Sequence, residues 1–201
     1  MKLYYSPGAC SLASHILLKE VAADHAIEKV DLRAKTTETG ADFTSVNPKG
    51  SVPALALDSG EVLTEGVAIM QFVADTGGVA ELSPPVGSLA RARLQEALNF
   101  ISSEVHKAYS PLFRGPSEEA KPAILENLTR RLGQVEAILA DGRAYLTGPE
   151  FSAADAYLFT VTNWSGMLNV DMSAYPALAA LRDRVAARPS VQAAMKAEGL
   201  I

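Results

Sequence analysis

The only cysteine of the chain, Cys10, follows Tyr5-Ser6-Pro7-Gly8-Ala9 and directly precedes an apolar helical pattern of Leu12, Ile16, Leu17 and Val21. A loop-to-helix junction results, where unpaired backbone N–H groups and the helix dipole favour an anion such as a thiolate. The dipole contributes about 0.3–1 kcal/mol, under one pKa unit, and does not by itself ionise a thiol of pKa about 8.5. Further donors are needed, and Tyr5, Ser11 and His106 are side chains of the right type. The competing reading is a small buried packing residue, since an unbridged cysteine behaves as a small hydrophobe. Position alone does not separate the two.

Two further segments offer backbone and charge. Val52-Pro53 lies after Asn47-Pro48-Lys49-Gly50 and before an apolar run, so the proline either shapes an entry turn or presents a peptide edge. Thr64-Glu65-Gly66 opens a helix whose free N–H groups suit a carboxylate while Glu65 suits an ammonium, together an amino-acid head group. The plainer alternative is a capped helix with an acidic first turn. Tyr109, Phe113, Tyr157 and Trp164 either line an apolar cleft or belong to ordinary core. His15, His25 and His106 lack metal-ligand spacing, so no metal centre is expected. Ser152-Ala153-Ala154-Asp155 has the form of a capping box and reads as structural.

The elements that must carry these residues change character near residue 80. Leu3–Tyr5 reads as a strand, residues 11–21 as a helix, and Ile27–Leu32 as a second strand with Val30 and Leu32 on one side, although Ile27 and Glu28 break the alternation. Ala54–Leu57 and Glu61–Leu63, separated by Asp58-Ser59-Gly60, form a hairpin, and a helix follows from about Glu65 to Asp75. This βαβ, irregular segment, ββα order predicts a thioredoxin-like sheet with helices on both faces, over residues 1–80. From Ser88 to residue 201 every strong pattern is helical. Leu94, Leu98, Ile101 and Val105 share one helical face, and Asn99, Ser103 and His106 another. Further helices are expected over Ser117–Ala140, over Ser152 to about Met167, and in two terminal pieces punctuated by Tyr175-Pro176 and Arg188-Pro189.

Bulk properties narrow the function classes. A chain of 201 residues with 48% hydrophobic content supports one large or two modest cores without staples. One cysteine permits no internal disulfide, which fits a reducing, cytoplasmic setting. A net charge of −5 disfavours nucleic acid as a partner, and no apolar run reaches the length of a membrane helix.

Taken in order and at these separations, Tyr5 to Ser11, Asn47 to Pro53, Thr64-Glu65-Gly66 and Ser152 to Asp155 resemble the bacterial beta-class glutathione transferases from end to end, and Asn99, Ser103, His106 and Lys107 strengthen the likeness. The resemblance implies an α+β thioredoxin-like domain that binds glutathione, followed by an all-α domain completing an electrophile site, in a homodimer. It implies a cis Val52-Pro53 bond, with the Val52 backbone pairing with the cysteinyl part of glutathione. It places the γ-glutamyl end at Glu65 and Gly66, the glycyl carboxylate near Lys35, and the sulfur beside Cys10. Asn99, Ser103, Glu104, Val105 and His106 would complete the site, some across the dimer. Tyr109, Phe113 and Trp164 would face a small hydrophobic electrophile. The family commonly carries serine where this chain has Gly66, so one hydroxyl donor is missing.

The implied reaction is attack by glutathione thiolate on an electrophilic carbon, with glutathione as cosubstrate and no prosthetic group. Two alternatives share the fold. One is a thiol-disulfide oxidoreductase or peroxidase acting through a Cys10-glutathione mixed disulfide. The other is a non-catalytic ligand-binding or regulatory protein.

Overall fold

The computed structural model describes residues 1–201, which divide into two compact units. The first comprises Met1–Ser83 together with Ala187–Ile201, and the second Pro84–Ala186. This corrects the expectation that residues 88–201 form one domain.

In the first unit, β1 (Lys2–Tyr5), β2 (Ala26–Asp31), β3 (Thr36–Thr37), β4 (Ala54–Ala56) and β5 (Val62–Thr64) make one sheet in the order β3-β2-β1-β4-β5. β1 and β2 run parallel, and the other pairs antiparallel. Leu3 pairs with Leu55 and both are wholly buried on one face. The alternating neighbours Tyr4 and Ala54 pair on the other. α1 (Ser11–Glu20) and α2 (Gly66–Thr76) pack on each other and so share a face. They approach closely enough at Gly77 that a Cβ there would lie 2.4 Å from Val21 Cγ1. The opposite face is covered by a single 3-10 turn, Phe43–Ser45, whose Phe43 joins Tyr4, Val30, Val52 and Ala54 in a buried cluster. A helix expected there is thus reduced to one turn.

The break in alternation at Glu28 also has a cause. Glu28 lies on the buried face of β2, accepting from Lys2 Nζ at 2.8 Å and from Thr39 Oγ1 at 2.5 Å. These bonds hold its carboxyl below the ordinary range, the Lys2 bond contributing most. The same network ties down β3, a two-residue strand too short to show a pattern.

α9 (Pro189–Ala197) packs on α1. Just beyond it, Glu198 is fully buried, accepting from the Gly8 backbone N–H at 3.0 Å and lying 3.0 Å from His15 Nδ1. Arg188 and Ser190 both reach Glu20 near the end of α1. Contacts across some 180 residues therefore seat the loop that carries Cys10.

The second unit is helical: α3 (Leu89–Phe100), α4 (His106–Tyr109), α5 (Lys121–Leu139), α6 (Ala153–Thr162), α7 (Trp164–Met167) and α8 (Pro176–Ala186). Between α3 and α4 the single expected helix passes through a π turn, Ile101–Val105. The wider turn offsets the face presented after it, and such turns recur at functional sites. Leu94, Leu98, Ile101 and Val105 are buried as their spacing requires. α5 begins at Lys121 because Pro122 suits a first helical turn, so Ser117–Ala120 remain a preceding turn. The helix expected to reach Met167 breaks at Asn163, whose side chain accepts from Arg182 at 3.0 Å. No helix in either unit is long and apolar enough to cross a membrane.

Candidate active site

Cys10 occupies the N-cap of α1, which has no side-chain cap; in the first turn Leu12 N–H donates to Ala9 O at 3.0 Å and Ala13 N–H to Cys10 O at 3.3 Å, so the sulfur sits at a helix start whose dipole favours an anion. The loop before it turns through Gly8 at φ +68°, and Ala9 N–H donates to Ser6 O at 3.0 Å. Ser11 is wholly buried, and its hydroxyl lies 3.3 Å from Ser6 O while accepting from Ser6 N–H at 3.2 Å. The expectation that Ser11 donates to a bound sulfur is corrected: its hydroxyl closes the loop from within. Tyr5 is also buried, its ring 6.2 Å from that of His15, and burial raises its phenol above the ordinary value. It stays protonated at neutral pH.

The Cys10 thiol donates to Val52 O at 3.3 Å. The Val52-Pro53 bond is cis. Asn47 organises the turn before it, donating to Ser51 O at 2.7 Å and accepting from Lys49 N–H at 3.1 Å. Lys35 adopts a left-handed φ of +60°, and its ammonium donates to Gly50 O at 2.7 Å. A cation therefore borders the loop that leads to Val52.

Glu65, at the N-cap of α2, has φ +69° and ψ +113°. A non-glycine residue in such a region costs about 1–3 kcal/mol, and such strain gathers at ligand sites. Its side chain does not cap the helix but accepts from Lys49 Nζ at 2.6 Å. The first N–H groups of α2 thus remain for an anion. A Cβ on Gly66 would stand 3.6 Å from Pro53 Cγ, ordinary contact, and its φ is not left-handed. Gly66→Ser should therefore be accommodated without rearrangement and add a donor. Glutathione titration is expected to show binding about three- to fivefold tighter, on the order of 1 kcal/mol. Equal affinity would remove the hydroxyl argument.

In the second unit, His106 follows the π turn with Nδ1 2.7 Å from Tyr157 Oη. Burial, with a smaller effect from Lys107, lowers its pKa to about 4, so it is a neutral imidazole at pH 7. Its ring stands edge-on to Trp164 at 4.9 Å, and Phe113 meets Trp164 at 5.2 Å. Phe113 is 48% exposed whereas Trp164 is buried, so Phe113 is the open edge of the cluster. Tyr109 lies beneath, fully buried, with its hydroxyl 2.5 Å from Ser165 Oγ; burial pushes its pKa up to about 12. Its placement facing an electrophile is corrected to core.

Val105 is likewise wholly buried and offers no side chain to a ligand. Asn99 and Ser103 are exposed, Ser103 Oγ donating to Asn99 O at 2.9 Å, and Glu104 pairs with Arg131. Sequence reasoning missed Lys49 and Glu198 as supporting groups. Lys49 stands within a motif already singled out, whereas Glu198 carries no local signal.

One unit therefore offers a thiol at a helix mouth, a peptide edge, and a carboxylate beside an uncapped helix; the other offers an aromatic cluster around a neutral histidine. Residues 8–76 match the family model of the glutathione S-transferase N-terminal domain, and residues 100–189 that of the C-terminal domain. The chain belongs to the bacterial beta-class glutathione S-transferases. It is 48% identical over 201 residues to glutathione S-transferase GstA of Escherichia coli O157:H7, covering all of both chains. It is similar to the structure of a bacterial beta-class glutathione S-transferase of Sphingomonas chungbukensis, with 51% identity, TM-score 0.95 and full coverage of both chains. The structure of a sphingomonad glutathione S-transferase complexed with glutathione is similar too, at 51% identity and TM-score 0.94, again over both chains entirely. As a glutathione transferase, the protein joins the thiol of reduced glutathione to electrophiles. The resemblance read from the sequence and the fold class it implied both hold.

Proposed function

We propose that glutathione lies along the first unit with its γ-glutamyl group at Glu65 and Gly66, its cysteinyl peptide at Val52, its sulfur beside Cys10 and its glycyl carboxylate toward Lys35. The observation that carries this reading is the Cys10 thiol's bond to Val52 O, 3.3 Å long. A cysteinyl residue pairing with the Val52 peptide brings its sulfur to the same helix mouth. Attack there on an electrophilic carbon forms the carbon–sulfur bond as the leaving group departs with its electron pair.

The electrophile class follows from the second unit. Phe113, Trp164 and the uncharged His106 suit a small, flat, apolar compound such as an aryl halide. Steady-state conjugation of an aryl halide tests this: Phe113→Ala should raise KM for the halide about fivefold, as expected from losing roughly 1 kcal/mol of apolar contact, with KM for glutathione unchanged. A shift in the glutathione KM alone would contradict the assignment. The reading also includes a homodimer, in which Asn99 and Ser103 belong to the glutathione site, and a cytoplasmic location consistent with the lone cysteine.

A second reading, thiol-disulfide exchange through a Cys10-glutathione mixed disulfide, is favoured by the same thiol at the start of a helix.

A further inference from the structure

Lys49 and Glu65 form an ion pair at the mouth of α2, with Nζ 2.6 Å from Oε1 and a second bond to Thr64 Oγ1 at 3.0 Å. Both side chains are more than half exposed, 54% and 69%. Exposed pairs of this kind contribute about 0–1 kcal/mol and exchange partners readily. Around them the backbone is firmly held. Lys49 N–H donates to Asn47 Oδ1, Gly50 N–H donates to Asn47 O at 2.8 Å, and Glu65 is fixed in its left-handed conformation. Two opposite charges thus sit on firmly held backbone with solvent-exposed ends.

An amino-acid head group is the chemical complement of such a pair, because it carries an ammonium and a carboxylate on one carbon. The start of α2 favours an anion through its N–H groups, yet Gly66 supplies no side-chain donor. Lys49 holds the positive charge beside that helix end. We propose that Lys49 changes partner on binding, leaving Glu65 to the ligand ammonium and taking the ligand α-carboxylate, so that it determines specificity for the γ-glutamyl head group. One surface ion pair is replaced by two, and neither charge is left alone. The unbound pair also keeps the Glu65 carboxylate oriented until the ligand arrives. This inference rests on the reading that Glu65 receives the γ-glutamyl end of glutathione.

The test is calorimetric titration of the full-length protein, Lys49→Met and Glu65→Gln with three ligands. These are glutathione, γ-aminobutyryl-Cys-Gly, which lacks the α-carboxylate, and glutaryl-Cys-Gly, which lacks the ammonium. Lys49→Met should weaken glutathione and the glutaryl analogue about fivefold, a modest effect in keeping with a half-exposed charge pair. It should not weaken the γ-aminobutyryl analogue. Unchanged or tighter glutathione binding by Lys49→Met would make Lys49 a bystander or a competitor and overturn the proposal. Equal losses for all three ligands would overturn it as well, since the α-carboxylate would then not be the group recognised. Glu65→Gln reports on the underlying reading: unchanged glutathione affinity there refutes the placement of the head group and the proposal with it. Loss in Glu65→Gln beside no loss in Lys49→Met sinks the proposal alone.

Discussion

Asp155→Ala is expected to lower unfolding free energy by about 2–4 kcal/mol at pH 7, combining a lost helix cap with buried donors left unpaired. Asp155 is wholly buried and accepts from Leu146 N–H at 2.7 Å, Ser152 N–H at 2.9 Å and the Ser152 hydroxyl at 2.7 Å. Those three bonds join the segment before α6 to its first turn. Burial nonetheless dominates and raises the carboxyl from 3.8 to about 6, with the Leu146 and Ser152 bonds pulling against it. The native state then binds the Asp155 proton more tightly than the unfolded state. Its contribution is full below about pH 4 and declines as pH rises through 6. Relative to Asp155→Asn, wild type should lose on the order of 1 kcal/mol between pH 5 and pH 8. Urea unfolding of both proteins at the two pH values measures this, and parallel pH dependence would refute the titration.

Cys10→Ala should give the clearest chemical outcome. After exposure to oxidised glutathione, intact-mass measurement should find a glutathione adduct on wild type and none on the variant, because the chain has one cysteine. Conjugation of an aryl halide should fall by no more than about 30-fold in the variant if Cys10 acts by favouring the bound thiolate, since about 3% of an ordinary thiol is already ionised at pH 7. A loss far beyond 30-fold would mean that Cys10 also positions the reacting sulfur. An absent wild-type adduct would remove the mixed-disulfide reading.

Where the sequence was informative, the signal was local. Asp58-Ser59-Gly60 marked the β4–β5 hairpin, and Gly60 does adopt φ +90°. Ser152 and Asp155, three apart before an apolar run, marked a cap whose bonds are present. The junction at Cys10 was legible for the same reason, since helix starts depend on neighbouring residues. Other features depend on distant partners. Glu28 looked like an error in a strand until Lys2 and Thr39 closed on it. The π turn left the apolar spacing intact while altering the face that follows, and Val105 and Tyr109, which the family resemblance placed in the site, have core side chains. Lys49 meets Glu65 across a turn and a hairpin, and no periodicity links them.

The return of α9 to the first unit has a consequence for biosynthesis. Glu198 holds Gly8 and His15, which a ribosome delivers 190 and 183 residues earlier. The sheet can form early, but the nascent chain cannot lock the Cys10 loop until residues 84–186 have already emerged. A polypeptide interrupted anywhere before α9 would therefore display a thiol whose loop is not yet seated, and the geometry at Cys10 would mature only after the helical unit has been made.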